Sequence, residues 1–113
     1  MIDLYKFELF ENGKKIRTYQ DENIETIFDI LLEDFEDLED IKDEFTERLI
    51  NKFFTKKEIE QFKKQKGKYE DIFYCIQDYL STEEYKEMFK RYFNNIDKTK
   101  LDFKITELQS VEI

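Results

Sequence analysis

The apolar residues Ile24, Phe28, Leu31, Phe35, Leu38, Phe45, Leu49 and Phe53 recur at helical spacing through the middle of this chain. Steps of three and four place them on one stripe of a helix, and a strand's period of two does not fit them. The positions between them include Glu33–Glu44, EDFEDLEDIKDE, so the same segment carries a dense row of carboxylates. The rest of the chain must cover the oily stripe and leave the acids in water. Asp21 or Asn23 can cap a helix starting at Ile24. Lys42 falls in the middle of the stripe, and Asp34 and Asp37 are poor interior helix residues. A kink or break is therefore expected between about Glu36 and Asp40, with Asp37 or Asp40 capping the second part. The alternative is one long helix.

Upstream, Ile2 to Phe10 alternates, with Tyr5, Phe7 and Leu9 on one side and Lys6 and Glu8 on the other. Asn12-Gly13 follows, a strong hairpin signal, because both central residues of a type I′ turn need positive φ. This turn predicts Leu9 opposite Ile16 and Phe7 opposite Thr18 on the inner side, with Glu8 opposite Arg17 outside. Downstream, Thr55–Glu58 has capping-box spacing and opens a short helix that buries Ile59 and Phe62 and stops at Gly67. Tyr69, Ile72, Phe73, Ile76 and Leu80 form the next stripe. Ser81–Glu84 is a second capping box, ahead of Tyr85, Met88, Phe89, Tyr92 and Phe93. Asn94, Asn95 and Asp97 mark a turn, and alternation from about Lys100 to Glu107 predicts a last strand. The expected architecture is α+β. An N-terminal β-hairpin plus a C-terminal strand form a small antiparallel sheet, with four to five helices between packed on it. At 113 residues, with no Pro-rich linker or repeat, residues 1–113 are expected to be one domain.

Absences narrow the chemistry. There is no histidine, which removes Ser-His-Asp and Cys-His catalysis, imidazole bases and every His-containing metal site. Two glycines cannot build a phosphate-binding loop or a nucleophile elbow. No Gly-containing calcium loop occurs among the acids. Asp102-Phe-Lys104 resembles the acid-x-Lys element of some metal-dependent nucleases, but strand alternation already accounts for it. Cys75 is expected to be a small buried hydrophobe, and a lone cysteine fits a reducing cytoplasm. The start, MIDLYKFELF, has no signal-peptide pattern, and no apolar run approaches ~18 residues. The expectation is a cytoplasmic, non-enzymatic protein without cofactor or metal.

Charge supplies the positive signal. Nineteen Lys and Arg stand against 28 Asp and Glu, a net of −9. Free nucleic acid and anionic membrane are poor partners for such a chain, and a basic protein surface is a better one. Between Asp21 and Glu47 there are thirteen acids and one base, Lys42, a local net of −12. The candidate partner-binding residues are Glu33, Glu36, Asp37, Glu39, Asp40, Asp43 and Glu44. As helix, Glu33–Glu44 would run ~18 Å. Duplex DNA carries a charge every ~1.7 Å of axis, so such a row can occupy a phosphate-binding groove. Like charges at i, i+4 cost a few tenths of a kcal/mol each, so the row is locally unfavourable. The blander reading is a solvated acidic face. An opposite block, Lys56, Lys57, Lys63, Lys64, Lys66 and Lys68, is read as a solvated helix, a counterpart folding back on the acids, or a second contact patch.

The leading expectation is an acidic inhibitor that occupies a basic surface of a nuclease or CRISPR effector. In type it is similar to phage anti-defence proteins, anti-CRISPR proteins among them. One alternative is an immunity protein or antitoxin against a nuclease toxin. Others are an assembly protein forming homo-oligomers through Phe53, Phe54 and Phe10, or a carboxylate-metal hydrolase.

Overall fold

Asn12 and Gly13 take φ of 52° and 82°, the left-handed values of a type I′ turn. They join β1 (Leu4–Glu11) to β2 (Lys14–Asp21) in a computed structural model that describes residues 4–94 and 101–109. Glu11 pairs with Lys14 and Phe10 with Lys15, but Leu9 then pairs with Arg17. Ile16 is the extra residue of a β-bulge, so the expected simple register is wrong beyond it. A one-residue slip exchanges the two faces of a strand. Tyr19, not Thr18, therefore lies opposite Phe7, their ring centroids 6.3 Å apart. Arg17 joins the helix-facing side, Ile16 is left 42% exposed, and Glu8 meets Thr18 while its carboxylate pairs with Lys15 at 3.5 Å. The slip puts an aromatic ring over the core in place of a hydroxyl. β3 (Leu101–Leu108) pairs antiparallel with β1 on its other edge, giving the order β2-β1-β3.

Asn23 caps α1 (Ile24–Leu32), its side chain accepting from the Glu25 amide at 3.0 Å. The chain then breaks at residues 33–37 and resumes as α2 (Leu38–Phe53). The break therefore starts a few residues before the expected window. Asp37 holds the cap position but makes no side-chain cap bond. Turn bonds do that work instead: the Leu38 amide donates to Phe35 O at 3.0 Å and Glu39 to Glu36 O at 3.1 Å. α2 buries Leu38, Phe45, Thr46, Leu49 and Ile50. Phe53, expected in the stripe, is 54% exposed at the end of the helix, and Ile50 is the last buried side chain.

Both expected capping boxes form. Thr55 and Glu58 bond reciprocally at the start of α3 (Lys56–Lys64), and Ser81 and Glu84 do so before α5 (Thr82–Asn94) at 3.0 and 3.2 Å. Gly67, φ 80°, turns the chain between α3 and α4 (Lys68–Gln77). Asn94 closes α5, and the turn expected at Asn95 and Asp97 lies outside the described residues.

The sheet is covered on one face by α5 and α1. α2 packs against α5 and carries α3 and α4 on its far side. The overall dimensions, 49 × 44 × 20 Å, are those of a two-layer slab. Within the core Phe7 contacts Phe89 at 5.0 Å and Phe103 at 5.6 Å, and Phe28 contacts Phe89 and Tyr85, both at 5.4 Å.

Replacing Gly13 by Ala should lower the unfolding free energy by about 1 kcal/mol, because a Cβ disfavours left-handed backbone. Gly13→Asn should cost clearly less, and equal losses in urea unfolding would refute that cause. Tyr85 has a buried hydroxyl without a hydrogen-bond partner among the described residues. Tyr85→Phe should therefore raise stability by about 1 kcal/mol in the same assay; a loss would show that the hydroxyl has a partner.

Candidate partner-binding site

The α1–α2 break decides how the acids are presented. Glu33, Glu36 and Asp37 sit on the turn, and Glu39 and Asp40 on the first turn of α2, all exposed. The row is thus a bend followed by a helix start, not a straight ~18 Å rod. The partial positive charge at a helix N-terminus favours Asp37, Glu39 and Asp40 where they stand. That local effect does not extend to Asp43, one turn further on and half-buried.

Four acids of the region are tied into the structure. Asp34 pairs with Arg17 of β2, which the bulge turned toward the helices. Asp29 lies 4.0 Å from the ammonium of Lys42. Lys42 is only 8% exposed, with its ammonium 5.7 Å from the centre of the Phe28 ring. Glu44 accepts from Arg91 of α5 at 2.8 Å and from Arg48 at 3.4 Å. Glu47 accepts a hydrogen bond from the Tyr69 hydroxyl of α4. Of the seven expected site residues, Glu44 is therefore engaged within the fold. The other six, Glu33, Glu36, Asp37, Glu39, Asp40 and Asp43, make no ion pair among the described residues. The one base of the segment points inward. Since the chain is −9 and Asp21 to Glu47 is −12, everything else sums to +3, so the negative charge is concentrated here.

Titration reflects this arrangement. Partial burial raises the Asp43 carboxyl above its ordinary value, with Glu39 and Asp40 adding to the rise and Lys42 opposing it. Burial and the bond to Glu47 push the Tyr69 hydroxyl up to about 12. Tyr92 of α5 is raised by burial and by the charge of Asp37.

The other expected features fall elsewhere. The lysine block lies on α3 and at the start of α4, and makes no ion pair with the acidic row among the described residues. Lys63 sits over the Tyr69 ring at 5.1 Å and Lys68 over Phe62 at 5.3 Å, so these stems cover aromatic surface. Cys75 is exposed, contrary to the buried position expected, because Ile72 and Ile76 take the inward face of α4. Asp102 and Lys104 lie on the open face of the sheet, opposite Phe10 and Glu8. Among the described residues no three acidic or cysteine side chains converge as a metal site requires, and no helix is long and apolar enough to cross a membrane. Two exposed rings were missed: Tyr79, beside Phe53, and Tyr74, beside Phe73. The available signal was that both tyrosines fall off the Tyr69–Leu80 stripe, leaving two rings with no core position.

Because the folded pKa of Asp43 is raised, its ionisation works against the fold at neutral pH, and the penalty fades as pH falls through the carboxylate range. Asp43→Asn should be more stable than the wild type by a few tenths of a kcal/mol at pH 7, solvent screening keeping the gain small. The difference should vanish near pH 3. A variant less stable at pH 7 would refute this penalty of burial and repulsion. No protein-family model, curated protein or solved structure matches this chain.

Proposed function

We propose that the protein acts by binding rather than catalysis, as an acidic inhibitor that occupies the basic nucleic-acid-binding surface of a cytoplasmic nuclease or CRISPR effector. The observation that carries this reading is the uncompensated row at the α1–α2 bend. Six carboxylates from Glu33 to Asp43 have no ion pair among the described residues, and the one base within that stretch, Lys42, is buried. Asp43 is held at a site that disfavours its charge, so the row is kept at some cost to the fold. A basic groove would relieve that repulsion on binding. The same groove prefers phosphates, which a protein-borne row of comparable charge density can replace. The lack of histidine and of phosphate-loop glycines supports a stoichiometric mode of action.

Such a complex forms by electrostatic steering and weakens as salt screens the two surfaces. Partners captured from the lysate of a nuclease-rich bacterial host should include a basic nucleic-acid-handling protein. Its affinity should fall at least about tenfold between low and physiological salt. The combined variant Glu36→Gln, Asp37→Asn, Asp40→Asn and Asp43→Asn should lose the partner by a similar factor. A captured protein that binds this variant with unchanged affinity would sink the reading.

A further inference from the structure

The two edges of the sheet differ. β2 is bulged at Ile16 and carries Lys14, Lys15 and Arg17, and bulges and basic side chains are devices that keep an edge strand from pairing. β3 pairs in unbroken register with β1 on one side, and with no strand on the other among the described residues. The Phe103 amide donates to the Asp102 carboxylate at 2.8 Å in an exposed bond, so this N–H points away from β1. Strand alternation gives Leu101 and Ile105 the same free direction. A side-chain oxygen thus stands where the carbonyl of a neighbouring strand would. Leu101, Phe103 and Ile105 face the helices and are each only half-buried. On the opposite face Asp102 and Lys104 are exposed and make no ion pair among the described residues. Glu8, opposite Lys104 on β1, is taken by Lys15.

An unpaired strand edge of eight residues is a template for another strand, and this one is complementary to itself. Two copies of β3 can be set antiparallel about a two-fold axis through Phe103. Leu101 then lies opposite Ile105 of the second copy, Phe103 opposite Phe103, and Asp102 opposite Lys104 twice over. The free amides are those of Leu101, Phe103 and Ile105, so Asp102 and Lys104 form the non-hydrogen-bonded pairs, whose side chains stand closest. Opposite charges in such pairs stabilise a sheet, and like charges destabilise it. An axis through Asp102 or Lys104 instead would set like charge on like. One through Ile105 would set Phe103 on Glu107, which Lys86 already holds.

We propose that β3 is a dimerisation edge, and that a second copy of this chain pairs with it antiparallel about Phe103. Two three-stranded sheets become one of six strands, in the order β2-β1-β3-β3-β1-β2. The axis is perpendicular to the sheet, so the helices of both copies lie on the same face. On pairing, the Asp102 carboxylate yields the Phe103 amide to a main-chain carbonyl and turns to Lys104 of the second copy. Neither residue belongs to the acidic row, so the dimer stands apart from the inhibitor reading.

Sedimentation equilibrium in about 0.3 M salt, which screens the −9 on each copy, measures the association directly. The interface is small, so a dimer with a Kd of roughly 10–100 µM is expected. Amide exchange at Leu101, Phe103 and Ile105 should slow as concentration rises through that range. Asp102→Lys and Lys104→Asp should each weaken association at least about tenfold, since each sets like charges opposite one another. Mixing these two variants should restore the dimer, because every charged cross-pair is then Lys against Asp. Both side chains are exposed, and circular dichroism checks that each variant is folded. A wild type still monomeric at about 500 µM, a dimer that survives both single variants, or a mixture that does not reassociate would overturn the proposal. So would open-ended polymers, which mark pairing of β3 with β2 of the next copy.

Discussion

Phe7 is the side chain through which the sheet and helices hold together. It stands on the central strand, stacked on Phe103 of β3 with ring planes only 7° apart, and meets Tyr19 of β2 on its other side. Phe89 and Phe93 of α5 cover it at 5.0 and 6.1 Å. One residue thus contacts all three strands and the covering helix, and Phe89 passes the contact on to Phe28 of α1. Rings of this size each remove a large area from water, and they favour tilted and offset contacts, which fixes the angle at which the layers meet. The bulge at Ile16 follows from the same demand, since only that slip brings Tyr19 onto Phe7.

The break between α1 and α2 has a packing reason as well as a propensity reason. Phe35, inside the break, lies edge-on to Tyr92 and Phe93 of α5 at 5.8 and 5.5 Å. Leu38 is fully buried at the start of α2. A bend lets both apolar residues reach α5 while the acids between them face outward. Lys42 then lies in the α1–α2 interface, its stem among apolar groups and its ammonium toward Asp29 and the Phe28 ring. Inward placement of this base leaves Glu33, Glu36, Asp37, Glu39, Asp40 and Asp43 without an ion pair among the described residues.

The acids that the fold uses are each accounted for by short-range contacts. Asp29 faces Lys42, Asp34 holds Arg17, Glu44 holds Arg91 and Arg48, and Glu47 accepts from Tyr69. Asp37, Glu39 and Asp40 benefit from the helix N-terminus. Asp43 has no ion-pair partner among the described residues, and partial burial beside Glu39 and Asp40 raises its carboxyl above the ordinary value.

Local sequence determined a good deal of this protein. The Asn12-Gly13 turn, both capping boxes, the left-handed Gly67, the amphipathic α5 and the last strand all follow from residues within one or two turns of each other. Their energetics are local, so their signals are too. The composition also announced an acidic surface. What tertiary structure decided are the features that depend on distant partners. The hairpin register was set by Phe7 needing a ring beside it, against the simple count from the turn. Phe53 was turned outward because burial ends with Ile50, and Cys75 was exposed because Ile72 and Ile76 took the inward face. The candidate site itself was legible as a run of acids, but not which of them were free. Arg17 and Arg91 come from distant elements, and their pairing with Asp34 and Glu44 follows only once the sheet and α5 have packed. Charge can be counted along a chain, whereas compensation of charge is a matter of distance in space.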